Sequence, residues 1–236
     1  MFSISTFKTD AFWESREGAH EVSARTFNVV MSVTTLYGFI VYGAAGWGSA
    51  RIIQERLLVG WPALAYLVAL LGISIVGMLV SFSPDPLRAY GGLSALAGSL
   101  GALIGPIANH YGRGSVADAA IVTLCITLVL GAAGYLYPRS LEHWGSTLCL
   151  ALSTLVGAQL LSLSASIGVI HPLHSVVSWL AIILFSAFVV YDFNRAQRLT
   201  RTIPNAIQSG VAVFVDVTNL FVRLLQIFGQ NKEDRR

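Results

Sequence analysis

Nearly the whole chain consists of apolar runs about as long as a bilayer is thick. A hydrocarbon core of about 30 Å takes about 20 helical residues to cross. Seven runs of that order follow one another, at approximately 27–48, 57–82, 89–109, 116–137, 146–170, 174–195 and 205–228. They predict an all-α polytopic membrane protein, a single bundle of seven transmembrane helices. The connections are short and punctuated by Pro84, Pro86, Pro138 and Pro172. Pro204 sits just inside the start of the last helix, with Thr202 as its expected cap.

Composition agrees. Hydrophobic residues make up 55% and charged residues 11%, where a soluble domain has about 25% charged. Three regions are expected: a polar N-terminal segment 1–24, a helical membrane domain 25–229 and a charged C-terminal tail 230–236. Residues 1–24 lack an apolar stretch followed by a small-residue cleavage site, so no removable signal peptide is expected. The net charge of +3 is spread thinly, with no basic cluster suited to nucleic acid. Arg195, Arg198 and Arg201 flank an apolar run and read as anchors at the membrane surface. A cytoplasmic N-terminus puts most basic residues of the connections inside, although seven crossings leave Lys232, Arg235 and Arg236 outside.

Within the runs, Gly101 and Gly105 form a GxxxG pair that Gly98 extends, a face for close helix packing. Cys125 and Cys149 read as small core residues. Trp47, Trp61 and Trp144 mark span ends. His110, His171 and His174 lie near membrane boundaries. The His171–His174 spacing alone makes a poor metal clamp. Nothing in the chain has the pattern of a nucleophile with its base or of a phosphate-binding loop, so no enzyme activity and no resident cofactor are expected.

Two acids break the pattern. Asp192 closes the sixth run, and Asp216 lies near the middle of the seventh. A charge at bilayer depth costs roughly 3 kcal/mol, so an intramembrane acid reads as functional. A hairpin turning near Ile203 puts Asp192 11 residues before the turn and Asp216 13 after it. At 1.5 Å per residue, both lie some 16–20 Å from the turn, at similar depth, provided the sixth helix continues toward Thr200. Two carboxylates about 4 Å apart repel by about 4 kcal/mol at an effective dielectric of about 20. Such a pair holds one shared proton near neutral pH. Without it the site is doubly negative and attracts a cation; with it the pair closes into a hydrogen-bonded unit. Local pairing is the alternative, Asp192 with Arg195 and Asp216 with Arg223. Asn219 shares a face with Asp216 and could bond it. Asp118, in GRGSVADAAIV, reads as an acid near a helix start or as an extra cation contact.

The tail carries a resemblance. Tyr191-Asp192, a basic stretch, Val215-Asp216-Val217-Thr218-Asn219-Leu220-Phe221, Leu224-Leu225 and Phe228-Gly229 resemble the transmembrane Bax inhibitor motif family, as does Gly105-Pro106-Ile107 followed by His110-Tyr111. The resemblance implies seven helices with the last one central. It also implies a pH-sensitive calcium leak in a bacterial inner membrane, with Asp192 and Asp216 as proton sensor, ion path and calcium contacts. It further implies an arginine latch near the end of the second helix. Ser83 occupies that position here, and Arg88, five residues on, is the nearest substitute. The family's basic residue ten positions after the second acid is Gln226 here, with Arg223 three residues earlier. Two other classes stay open: a non-conducting regulator that binds other membrane proteins through residues 1–24, and a proton-coupled transporter of small solutes.

Overall fold

The computed structural model describes residues 20–52, 61–165 and 171–233. Among them are six helical runs: α1 (Ala24–Ile52), α2 (Trp61–Ser81), α3 (Pro86–Leu136), α4 (Trp144–Ala165), α5 (His171–Ala196) and α6 (Ile203–Glu233). Five of these, α1, α2, α3, α5 and α6, are long and apolar enough to cross a membrane. Residues 1–19, most of the expected N-terminal segment, lie outside the described residues. At its end the Val22 amide donates to the Arg201 carbonyl at 2.7 Å, beside the α5–α6 connection. The tail expected from residue 230 begins inside α6, which runs on to Glu233.

The helix ends follow local chemistry. Ser23 Oγ accepts from the Thr26 amide and caps α1. Asp85 caps α3 by accepting from the Leu87 amide at 3.2 Å, with Pro86 in the first helical position, where a missing N–H costs nothing. Thr202 caps α6 as expected, its Oγ1 accepting from the Asn205 amide at 3.4 Å.

The third and fourth predicted spans form one 51-residue run, α3, interrupted at Gly112 (φ 80°, ψ 158°). A straight helix of that length measures about 76 Å, over twice the bilayer core. Each arm, 86–111 and 113–136, can cross alone. The first arm keeps the direction of α1: Thr34 meets Tyr90, Tyr37 meets Ser94, and Tyr42 and Gly46 face Gly101 and Gly105. The second arm follows α5, with Gly134 against Val190 and Tyr137 against Asn194. α6 runs with α1, Gly210 beside Thr34 and Phe214 beside Gly38. Chain direction therefore changes at Gly112.

The GxxxG seam works as the sequence suggested. A Cβ at Gly101 would overlap the Tyr42 carbonyl, and one at Gly105 would overlap the Gly46 carbonyl and Ser49 Oγ. Gly98 stands outside this seam, with only Val41 in ordinary contact. Next to the seam, Pro106 cannot donate to the Ala102 carbonyl four residues back. Tyr66 of α2 supplies the missing donor, its hydroxyl bonding Ala102 O at 2.9 Å. This satisfies the carbonyl where water is absent.

α6 is the most enclosed of the five candidate spans, with half of its most apolar stretch buried; it packs on α1, α3 and α5. The outside of the bundle is apolar: Leu36, Ile40, Leu79 and Leu128 are each at least 60% exposed. That explains one correction. Cys125 and Cys149 are exposed rather than core residues, because a surface facing lipid takes small apolar side chains as readily as the interior does. Trp47, Trp61 and Trp144 are exposed at helix ends, and the Arg51 guanidinium stacks on Trp47 at 3.9 Å.

Gly105→Leu is expected to lower stability by about 1–3 kcal/mol through overpacking, seen as an earlier transition in an SDS unfolding titration. Tyr66→Phe is expected to cost about 1 kcal/mol by the same measurement, since it strips the Ala102 carbonyl of its donor.

Candidate functional site

The two intramembrane acids meet between α5 and α6. Asp192 and Asp216 are near enough for the carboxyl of each to act on the other. α5 ends at Ala196 and is continued by one further turn toward Thr200, in which the Arg198 and Leu199 amides both donate to the Arg195 carbonyl. Asp192 then lies four residues from its helix end and Asp216 thirteen from its own, an offset of about 14 Å along the axes. Residues 197–202, a helical turn followed by a short connection, make up the difference.

Asp216 is only 7% exposed, and its Oδ2 has no hydrogen-bond partner. Asp192 is half-buried, with the Arg195 guanidinium one turn on and near enough to act on its charge. α6 carries further buried polar residues, Asn205, Gln208, Ser209 and Thr218. Gln208 Nε2 donates to the Phe82 carbonyl at 3.2 Å and ties α6 to the end of α2.

The expected neighbours fall elsewhere. Asn219 does not reach Asp216; its Nδ2 donates to the Val215 carbonyl at 2.9 Å, a bond within its own helix that lies closer than a carboxylate one turn away. Arg223 bonds Gln226 Oε1 at 3.1 Å rather than Asp216. Arg88 is highly exposed and pairs with Asp85 at 3.5 Å, so it does not latch the acids here. Its position just inside α3, three residues after the cap, directs it to the capping carboxylate. Asp118 is exposed on the second arm of α3, past the first turn after Gly112. The side chains of His171 and His174 lie outside those described. Among the described residues no three His, Cys, Asp or Glu side chains gather as a metal site. A cation at the acid pair would have two carboxylates and no third such group.

Two cavities flank α6. The first, about 640 Å³, lies between α1, the second arm of α3 and α6. The second, about 670 Å³, lies between α2, the first arm of α3 and α6. Neither acid lines either one. The reason is angular. At about 100° per residue, Val217 and Phe221 point about 100–140° from Asp216 and line the first cavity, while Val215 and Val222 point about 240–260° away and line the second.

Sequence reasoning passed over Asn194. It is 2% exposed. Its Nδ2 donates to the carbonyls of Gly134, Tyr137 and Arg139 at 3.1–3.2 Å, and its Oδ1 accepts from the Leu141 amide at 3.0 Å. Arg198 adds a bond to the Pro138 carbonyl at 2.9 Å. Asn194 thus terminates α3 and fixes it to α5 two residues from Asp192. The signal in the sequence was an amide at the end of an apolar run, next to an acid that drew the attention.

Residues 19–233 match the family described as Inhibitor of apoptosis-promoting Bax1. The chain belongs to that family. Among its relatives is an Escherichia coli K12 protein named Inner membrane protein YbhL, 22% identical over 95% of this chain and 98% of its own length. A Vibrio cholerae protein described as an uncharacterized membrane protein is 25% identical over 77% of this chain and 82% of its own. An uncharacterized Caulobacter vibrioides protein is 23% identical over 92% and 91%. In this member of the Bax inhibitor family, Asn194→Leu is expected to cost about 2 kcal/mol by leaving buried carbonyls and an amide unpartnered. Faster proteolysis of residues 137–143 would report it.

Proposed function

We propose that this chain is a proton-gated cation leak, with calcium as the permeant ion, in a bacterial inner membrane. In this reading α3 crosses twice, the chain crosses seven times from a cytoplasmic N-terminus, and α6 is the central helix. The acid pair of α5 and α6 senses protons and sets the position of α6. The observation that carries the reading is the contact of Asp192 with the deeply buried Asp216. One proton fewer turns that contact from a hydrogen bond into a repulsion. The groups that can modulate it are Arg195 on α5 and the more distant Arg223 on α6. Family membership and a relative named as an inner membrane protein support the placement.

The test is calcium flux into vesicles holding purified protein, between about pH 6 and 8. Titration of one shared proton is expected to change wild-type flux by up to about tenfold per pH unit, and Asp216→Asn to flatten the profile. Equal profiles reject the sensor. Absence of flux from the wild type rejects the leak and favours the non-conducting regulator, in which the acids serve fold specificity alone.

A further inference from the structure

The first cavity is a groove open along the outside of the bundle, where Leu36 on its wall is 60% exposed. α1 and the second arm of α3 form its walls, and α5 and α6 its floor. On α1 the lining runs in steps of three and four residues through Asn28, Met31, Ser32, Thr35, Phe39 and Tyr42. At 1.5 Å per residue, Asn28 and Tyr42 stand about 21 Å apart along the helix. One leaflet of a bilayer core is about 15 Å deep. The groove is long enough for an acyl chain lying parallel to the helices.

The lining turns polar at the bundle end that carries the α5–α6 connection, with Asn28, Tyr135 and Gln197. Each of the three elements that supply these residues leads to an arginine one step further on. Arg25 comes three residues before Asn28, Arg139 four after Tyr135, and Arg201 four after Gln197. The Arg201 carbonyl accepts from the Val22 amide, which holds it at the start of α1. The Arg139 carbonyl accepts from Asn194, which holds it at the end of α5. All three arginines are exposed, and among the described residues none of them is in an ion pair. Glu21 and Glu142 lie at the same end. With Arg198, which bonds the Pro138 carbonyl, the rim carries more positive than negative charge.

We propose that this groove binds an anionic phospholipid, one acyl chain lying along α1 and the headgroup phosphate resting on the rim of Arg25, Arg139 and Arg201. The tail suits the lining because it asks for no hydrogen bonds from apolar walls. The phosphate suits the rim because guanidinium groups bind it through paired, charge-assisted hydrogen bonds. Basic pockets between helices at a membrane surface gather acidic headgroups in this way. The bound chain lies on Phe193 and Val217, each the next residue after one of the two acids. The site stands whether or not the protein conducts ions.

Native mass spectrometry of the full chain in detergent tests the site, with phosphatidylglycerol and phosphatidylcholine of identical oleoyl chains added at equal concentration. The wild type is expected to retain phosphatidylglycerol over phosphatidylcholine by about tenfold or more, since each basic residue near the headgroup is worth about fivefold. Arg25→Gln combined with Arg201→Gln is expected to bring the two lipids to within about threefold. Ser32→Trp, which fills the groove from an exposed position, is expected to lower retention of both lipids by about tenfold. Arg88→Gln is expected to change neither, because Arg88 at the same end is paired with Asp85. All the substituted side chains are exposed, and an unchanged SDS unfolding transition shows each variant to be folded. Equal retention of the two lipids by the wild type, an unchanged preference in the double arginine variant, or full retention by Ser32→Trp overturns the proposal. A mass of two chains without lipid gives the groove to a second copy and overturns it as well.

Discussion

Lipid gives a backbone no hydrogen bonds and gives helices no hydrophobic reason to associate. The structure answers both demands at the same places. Small residues bring backbones together at Gly101 and Gly105, and polar side chains meet the groups that helix geometry leaves over. Tyr66 takes the carbonyl that Pro106 abandons, and Asn194 takes three carbonyls and an amide at the end of α3. These contacts fix α3 against α1, α2 and α5. α6, packed on three of the other helices, gets its surroundings from that arrangement.

A carboxylate is the most expensive group to leave inside such a bundle. Asp216 is held there beside a second acid, while Arg223 on the same helix is turned to Gln226. Arg88 is engaged by Asp85 at the surface. The acids therefore keep company mainly with each other and with Arg195. Any restraint on the pair comes from the α5–α6 hairpin and the contacts that hold it, Asn194 among them.

Much of this was legible beforehand. Span lengths reflect bilayer thickness, so the helices could be placed to within a few residues, and Thr202 and Pro204 marked the start of α6. The two acids stood out because charge in an apolar run is rare. What resisted reading depended on rotation and reach. Asn219 and Arg223 have nearer partners on their own helix, and Cys125 and Cys149 sit in runs where both faces are apolar. Asn194 joins residues from distant segments, and spacing along the chain carries no trace of that.

Gly112 differs from the seam glycines in an instructive way. A side chain at Gly105 would strike a neighbouring backbone, whereas a side chain at Gly112 would meet nothing within 4 Å. Room is not what keeps a glycine at the bend of α3; its φ of 80° is. The demand there is one of handedness, which a residue of mirror-image configuration would meet as well as glycine does. The turn into the second arm rests on a stereochemical preference, and packing on α5 then holds the arm in place.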